Sequence, residues 1–479
     1  MSEQLGLTVK KDENFSEWYT QVVLKAELAD YSSVKGCMVI RPLGYAIWEN
    51  IQKVLDKKFK ETGVKNVYFP LFIPESLLKK EAEHFEGFVP EVGWITHSGD
   101  KPLEERLAVR PTSETVMYDT FSKWIRSYRD FPLRVNQWCS VSRFETKATR
   151  LFLRTREFLW QEGHTVHATK EDADKEMMLR LKQYRELIEN NLAIPVLIGK
   201  KSEKEKFAGA LTTTTLEAIM PDGKALQMGT SHNLGQHFSQ VFDIKFLDKD
   251  KKEKHAWQTS WGLSTRTIGA LVMAHGDDRG LVLPPMITPI HAVIIPIGFE
   301  KDKKILDKTK DVKTKLEKSG YSIEVDYREE YTPGWKFNNW ELKGIPIRIE
   351  IGPKDLKAKQ VTLVRRDTLK KTVTKEKDVV NAVKKLLDDI QNNLFNKARK
   401  FLKDNITDVK TYNEFKKVLE EKGGFIKASW CGHTDCEEKI KEDTTATVRI
   451  IPFEKEKIDK KCFQCNRDAI NVAYFAKAY

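Results

Sequence analysis

The chain has 479 residues, of which 40% are hydrophobic and 32% charged, and a net charge of +12 from 82 basic and 70 acidic side chains. This length and apolar content exclude a disordered or fibrous chain and leave room for roughly two to four domains with large cores. The basic excess is spread through a mixed surface, which suits a polyanionic partner such as RNA and equally a solvated lysine-rich exterior.

The first residues, Met1 to Lys11, lack an apolar core followed by a small-residue cleavage site, so no signal peptide is expected. No run of about 18 apolar residues occurs, so no membrane span is expected. From residue 14 to 60 the apolar positions recur at helical spacing, and the pattern stops at Gly63. Val67-Tyr68-Phe69-Pro70-Leu71-Phe72-Ile73-Pro74 is a strand-like run bounded by prolines. Residues 105–165 read as short strands with one helix near Thr112 to Tyr128. That helix begins at Pro111-Thr112-Ser113-Glu114, a cap residue followed by an acid in the first turn. Asp172 to Asn191 reads as an amphipathic helix with Met178, Leu181, Tyr184 and Ile188 on one stripe.

The composition changes at Leu283-Pro284-Pro285. Beyond it, Ala292-Val293-Ile294-Ile295-Pro296-Ile297 has the pattern of a buried strand, and a lysine-rich helix follows near 301–318. Strands separated by helices suggest a small α/β domain with a mostly parallel sheet. Residues 376–403 form a long helical pattern through Val379, Val383, Leu386, Ile390, Leu394, Ala398 and Leu402. This helix links to a cysteine-bearing C-terminal unit.

Three segments carry the chemistry. In the β-rich run Gln137 to Glu145, alternation places Arg143 and Glu145 on one sheet face. A guanidinium there can grip a phosphate through paired, charge-assisted hydrogen bonds. An Arg/Glu pair on a solvated face is the plainer alternative. In the second limb, Arg154, Arg156, Phe158, Trp160, Glu162 and His164 share one parity. A simple core strand would not gather arginines, aromatics and acids on one face. Phe158 can stack on a purine while an arginine covers its other side. Gly262-Leu263-Ser264-Thr265-Arg266-Thr267-Ile268-Gly269 supplies Arg266 at the head of an apolar helix, with glycines that permit close backbone approach.

Six cysteines are unevenly placed: Cys37 and Cys139 are isolated, while Cys431-x4-Cys436 and Cys462-x2-Cys465 cluster. In a chain without a secretion signal, two such pairs suit a tetrahedral zinc with every position filled, a structural site. His433 falls inside the first pair and could substitute as a ligand.

These segments resemble the three signature motifs of class II aminoacyl-tRNA synthetases: Gly36 through Pro70, Arg143-Phe144-Glu145 through Glu162, and Gly262 through Arg266. The phrases Arg110-Pro111-Thr112-Ser113-Glu114, Phe158-Leu159-Trp160-Gln161-Glu162-Gly163-His164 and Gly229-Thr230-Ser231-His232 are similar to the prolyl-tRNA synthetase family of the archaeal and eukaryotic cytosolic type. The likeness covers nearly the whole chain. It implies an α+β catalytic domain over 1–284, an antiparallel sheet flanked by helices. An α/β anticodon-binding domain over 285–395 and a small zinc-binding α+β domain over 396–479 follow. The implied activity is proline–tRNA ligation: ATP and L-proline form prolyl-adenylate and pyrophosphate, and proline then passes to the 3′ end of tRNA(Pro). ATP with Mg2+, a structural Zn2+, a homodimer joined through motif one and a cytoplasmic location are implied with it.

The resemblance also implies roles. Arg143 and Arg266 are the catalytic pair, with Arg143 holding the α-phosphate and the amino-acid carboxylate. Arg154 and Arg266 serve the distal phosphates or the adenine face, and Phe158 stacks on adenine. Thr155, Gln227 and Thr230 bond base and ribose. Glu145 and Glu157 are both candidate magnesium ligands, and spacing does not choose between them. For proline, Glu114 and Glu162 are candidate ammonium partners, helped by Thr112. Trp160, Phe207, His164 and His232 line the ring, with Ser260 and Gly262 in the same pocket. Trp340 to Asp355 carries the anticodon-domain likeness, with Glu350, Lys359, Arg365 and Arg366 as possible base contacts. Tyr479 is implied to reach back towards the catalytic domain. No inserted segment between motifs two and three has the size of an editing module.

Two other readings stand beside this one. A class II synthetase for threonine would hold an active-site zinc with one cysteine and two histidines, residue types that Cys139, His164 and His232 offer. A non-catalytic tRNA-binding paralogue would have no chemical need for Arg143, Arg266 and Glu114.

Overall fold

The computed structural model describes residues 6–82 and 91–479. Residues 1–5, part of the segment read for a signal peptide, lie outside them. Among the described residues no helix is long and apolar enough to cross a membrane.

One large sheet organises the molecule. Its catalytic half joins Leu197–Lys200, Thr212–Ile219, Ala225–Gly235, Trp257–Ser264, Glu157–His167 and Leu133–Ser142, all antiparallel, with Lys65–Asn66 added in parallel at the edge. Apolar side chains of the helices Phe15–Lys25, Pro42–Glu61, Lys170–Glu186 and Arg266–His275 share a core with Leu216, Leu226, Trp261 and Leu263 of the sheet. The helical pattern expected over 14–60 is two helices separated by the short hairpin of Ala29–Tyr31 and Met38–Ile40.

Helix Lys170–Glu186 corrects one expectation. Its inward face carries Ala173, Met177, Leu181 and Tyr184, and Met178 is exposed. The same face buries an ion pair, Arg180 Nε donating to Glu176 at 2.8 Å, with the Arg180 guanidinium 4.9 Å from the Trp261 ring. A buried cation is tolerable there because a carboxylate and an aromatic face both compensate it.

The second domain holds a five-stranded sheet in the order Ile323–Val325, Ala292–Pro296, Ile347–Ile351, Gln360–Arg365, Lys371–Lys375. The first three strands are parallel and the last two pair antiparallel, so the sheet is mixed where a mostly parallel one was expected. The helix Val379–Asp404 covers this sheet with Val379, Val383, Leu387, Ile390 and Leu394, Leu387 being more deeply buried than the expected Leu386. Arg366, read as a base contact, is buried and donates to both oxygens of Asp277 at 2.8 and 2.6 Å. It ties this domain to the catalytic one. Glu350 is likewise buried, bonded by Arg348 and Lys371, and Arg365 pairs with Asp367. Of these four, Lys359 is the exposed one.

The C-terminal strands run Ile406–Asp408, Phe425–Trp430, Asn471–Ala476, Thr447–Pro452 and continue the catalytic sheet. The seam pairs Ile451 with Lys200 and Pro452 with Gly199. Gly199 is required by this contact, since a Cβ would stand 2.3 Å from the Ile451 carbonyl oxygen. The terminal residues also return to the catalytic domain: Tyr479 N donates to the Ala225 carbonyl at 3.2 Å and its hydroxyl to Asp222 at 2.7 Å. Gly199→Val is therefore expected to lower stability by about 1–3 kcal/mol. An unchanged urea midpoint would show that the seam yields without cost.

Candidate active site

The strand Glu157–His167 alternates across the sheet, so Phe158, Trp160, Glu162 and His164 line one cavity of about 280 Å³. Thr112, Glu114 and Arg143 close one side. Gln227, Thr230 and His232 come from the strand Ala225–Gly235, Ser260 and Gly262 from the strand Trp257–Ser264, and Arg266 from the head of the helix Arg266–His275. Phe207 enters from the loop before Thr212–Ile219. Gly163 makes room behind the cavity, because a Cβ there would come within 2.0 Å of the Trp261 ring.

Glu162 is 2% exposed and heavily bonded. It accepts from Ser113 N at 3.2 Å, Gln137 Nε2 at 3.1 Å, His164 Nε2 at 3.3 Å and the Ser113 hydroxyl. A carboxylate only accepts, so His164 Nε2 carries a proton towards Glu162, and Nδ1 is hydrogen-bonded to the Tyr118 hydroxyl at 2.9 Å. Burial alone would raise this acid, but the bonds from His164, Ser113 and Gln137 outweigh it and hold Glu162 below the usual carboxylate range. The expected helix cap has been diverted to this task. Ser113 occupies the cap position of Glu114–Trp124 yet makes no side-chain cap bond, its hydroxyl going to Glu162.

Glu114, 4% exposed, receives the Thr112 hydroxyl. Burial, with the nearby charge of Glu162, pushes its pKa up. The two acids of one pocket are thus shifted in opposite directions, Glu162 down by its hydrogen bonds and Glu114 up by burial. Burial also pushes His232 down to about 3 and Cys139 up to about 12, so the first is a neutral ring and the second an inert thiol near neutral pH. His232 Nδ1 is bonded to the Thr213 hydroxyl at 2.9 Å.

Arg143 lies just beyond the strand Leu133–Ser142, whose last pair is Ser142 with Glu157. Arg143 and Glu145 therefore stand in the 143–156 connection, not on a sheet face as alternation suggested. Arg143 Nε donates to the Pro111 carbonyl at 3.3 Å, and its guanidinium sits 5.4 Å from both the Phe158 and Trp160 rings. Burial lowers its pKa and lowers that of Arg266 to about 10, so both remain cationic. Arg266 Nε is held by the Leu153 carbonyl at 3.2 Å. Glu145 and Arg154 are exposed in the connection, and Thr155 is buried with its hydroxyl on the Glu157 carbonyl at 2.6 Å. None of these three lines the cavity. Glu205, Thr213, Trp261 and Ser264 do, without having been assigned from sequence. Ser264 lay inside the quoted motif, whereas Glu205 and Thr213 sit in lysine- and threonine-rich runs with no distinguishing pattern.

Away from the cavity, the sulfurs of Cys431, Cys436, Cys462 and Cys465 all lie within 4.8 Å of one another, and three of the four residues are buried. Cys436 and Cys462 are 3.8 Å apart and Cys431 and Cys465 3.5 Å. A tetrahedron of about 2.3 Å Zn–S bonds has edges of about 3.8 Å, so the four sulfurs fit such an ion. Gly432, at φ +79°, turns the chain between Cys431 and the helix that bears Cys436. His433 stands outside this set. The described residues hold one such cluster, and Cys139, His164 and His232 do not form a second.

This antiparallel sheet, with arginines, aromatics and acids gathered on one face, is that of a class II aminoacyl-tRNA synthetase core. Residues 96–275 match the family model described as tRNA synthetase class II core domain (G, H, P, S and T). Residues 291–386 match the anticodon binding domain, and 412–479 match Prolyl-tRNA synthetase, C-terminal. The chain is 57% identical to a protein named Proline--tRNA ligase from Alkaliphilus oremlandii, over 97% of this chain and 96% of that one. It is 54% identical to Proline--tRNA ligase 2 of Clostridioides difficile, over 98% and 97%, and 53% identical to Proline--tRNA ligase 2 of Bacillus cereus, over 100% and 99%. The chain belongs to the prolyl-tRNA synthetases. These relatives are bacterial and give the expected archaeal and eukaryotic type no support.

The opposite shifts of the two acids lead to unequal outcomes for their amides. Glu162→Gln should lose about 1–3 kcal/mol, because an ionised acceptor is replaced at a buried site. Glu114→Gln should cost less than Glu162→Gln, because burial already disfavours the Glu114 charge. Urea unfolding of both variants at pH 7 compares them, and equal losses would contradict the assignment.

Proposed function

We propose that the cavity activates L-proline with ATP and then delivers proline to the 3′ end of tRNA(Pro). The observation that carries this reading is Glu114, a buried acid with a raised pKa that stands beside Arg143 in an aromatic-walled cavity. A secondary ammonium adds a counter-charge beside Glu114, whose burial disfavours its ionised form. Glu162 is already committed to Ser113, Gln137 and His164, so Glu114 takes the ammonium, with Thr112 orienting it. Trp160, Phe207 and His232 close on the ring, and Ser260 and Gly262 complete that side.

The proline carboxylate then faces Arg143. Its oxygen attacks the α-phosphorus of ATP, the bond to the β-phosphate oxygen breaks, and pyrophosphate leaves. Arg143 stabilises the charge that develops on the α-phosphate and holds the attacking carboxylate in line. Phe158 stacks on adenine, Gln227 and Thr230 bond base and ribose, and Arg266 covers the nucleotide or its distal phosphates. Arg154 and Thr155 reach ATP from the 143–156 connection, as does Glu145. Magnesium, when bound, neutralises phosphate charge. In the second step the terminal tRNA hydroxyl attacks the prolyl carbonyl and AMP departs.

The catalytic part is assigned to 1–284, the anticodon-binding part to 285–395 and the C-terminal part to 396–479. The four cysteines carry structural zinc. The exposed apolar side chains Tyr31, Val34, Val39 and Tyr45, within and just before motif one, support a homodimer joined there. The site of action is the cytoplasm.

Proline alone should drive exchange of labelled pyrophosphate into ATP, and Arg143→Ala should reduce that exchange by about 100-fold or more while the protein stays folded. Exchange with threonine, or with no amino acid, would end this reading. Because the Glu114 pKa is raised, its ionised fraction falls as pH falls through that value, and the KM for proline should rise on the acidic side. Glu114→Gln should remove that dependence and raise KM by about 100-fold or more at pH 7. A profile still sloping in the variant would place the titrating group elsewhere. Metal analysis should return one zinc per four-cysteine site, and Cys436→Ser should lower both zinc content and melting temperature, the loss of either alone speaking against a structural role.

A further inference from the structure

A buried ion cluster joins the C-terminal strand Thr447–Pro452 to the wall of the active site. Arg449 Nε lies 3.1 Å from one Glu217 oxygen, and Nη2 lies 3.0 and 2.9 Å from the two oxygens. Glu217 is wholly buried and also accepts from Lys201 Nζ at 2.8 Å and the Thr215 hydroxyl at 3.0 Å. Arg449 Nη1 bonds to the Thr447 hydroxyl at 3.2 Å and lies 4.0 Å from Glu205, a residue of the cavity wall. Two cations and two carboxylates therefore balance across the seam between the domains.

The 202–207 loop is held from the same side. The Ser202 hydroxyl donates to Glu437 at 2.8 Å and Lys204 Nζ to Glu438 at 2.8 Å. This loop delivers Phe207, whose backbone N donates to the Thr213 hydroxyl at 2.9 Å. Thr213 in turn bonds His232, and the Phe207 and His232 rings lie 5.0 Å apart. Thr213 and Glu217 share one strand and one parity, opposite His232 and Gln227 across the ladder. The clasped acid and Thr213 thus share one strand, Phe207 lies in the loop before it, and His232 faces Thr213 from the neighbouring strand.

We propose that Arg449 is a positioning residue for amino-acid binding. Acting through Glu217 and Glu205, it fixes the 202–207 loop and so sets the Phe207–His232 wall. Removing it would leave Glu217 and Glu205 with only Lys201 between them, an uncompensated buried charge that the 202–207 loop bearing Glu205 can relieve by shifting. A shift of the Phe207–His232 wall changes the contacts that bind the ring and so the affinity for the amino acid.

The inference rests on the proline reading above, and pyrophosphate exchange separates the two. In the full-length protein, Arg449→Ala should raise KM for proline by about tenfold or more, with kcat and the KM for ATP within about threefold of wild type. Arg449→Lys, which keeps the charge, should recover most of the loss. If wild type shows no exchange with proline, the proline reading fails. If wild type exchanges and Arg449→Ala keeps its KM for proline, or loses kcat and both affinities equally, the positioning role is overturned. Should Arg449→Ala fail to fold by circular dichroism, Ser202→Ala cuts the loop from Glu437 and leaves the Glu217 clasp intact. A rise of about threefold or more in its KM for proline supports the proposal, and an unchanged KM overturns it.

Discussion

The site depends on keeping a carboxylate charged inside the protein. Glu162 sits among β-strands with almost no solvent, where an unpaired charge would be prohibitively unfavourable. Its partners come from separate parts of the chain: Ser113 at a helix start, Gln137 on the neighbouring strand and His164 on its own. Satisfying this one group therefore fixes where helix Glu114–Trp124 begins relative to the sheet. It also fixes Glu114, the next residue but one-sidedly bonded, at the cavity. The helix gives up its side-chain cap for this purpose, a local cost of about 1 kcal/mol that the buried acid offsets.

The second constraint is sheet continuity. The C-terminal strands are hydrogen-bonded to the catalytic sheet through Gly199 and Lys200, and side chains cross the same seam at Glu217 and Ser202. The cysteine cluster anchors the far end of that extension, bringing the loop after strand Phe425–Trp430 together with the segment before Asn471–Ala476. On the other side, Arg366 clamps the second domain to Asp277. Both accessory domains are thus attached by buried polar contacts rather than by tethers, so strain in either can be transmitted to the catalytic sheet.

What could be read from sequence follows from how local the governing physics is. The parity of Phe158, Trp160, Glu162 and His164 is legible because strand alternation depends on neighbours only. Cysteine spacing is legible because few other functions need two close pairs. The ends of elements are less so: Arg143 and Glu145 follow the alternating pattern, yet the ladder stops at Ser142 and releases them into a turn. Arg366 looks like any surface arginine until the domain interface supplies Asp277. Glu205, Thr213 and Arg449 act through tertiary neighbours far away in the chain, and nothing in their own surroundings distinguishes them from ordinary polar residues. The family resemblance supplied the remainder, including Phe207, which lines the cavity although no pattern in its segment indicates it.

The opposed pKa shifts of the two acids explain why the pocket can carry both and still bind a zwitterion. Were Glu114 and Glu162 equally ionised, their repulsion in a low-dielectric cavity would add to the desolvation of each. Were both neutral, the His164 Nε2 bond to Glu162 would lose its charge assistance and the pocket would hold no carboxylate charge. The structure divides the roles by hydrogen-bond supply: Glu162 receives enough donors to stay charged without ligand, and Glu114 receives only the Thr112 hydroxyl from a side chain. In the proposed reading, an ammonium beside Glu114 favours the ionised form that burial disfavours.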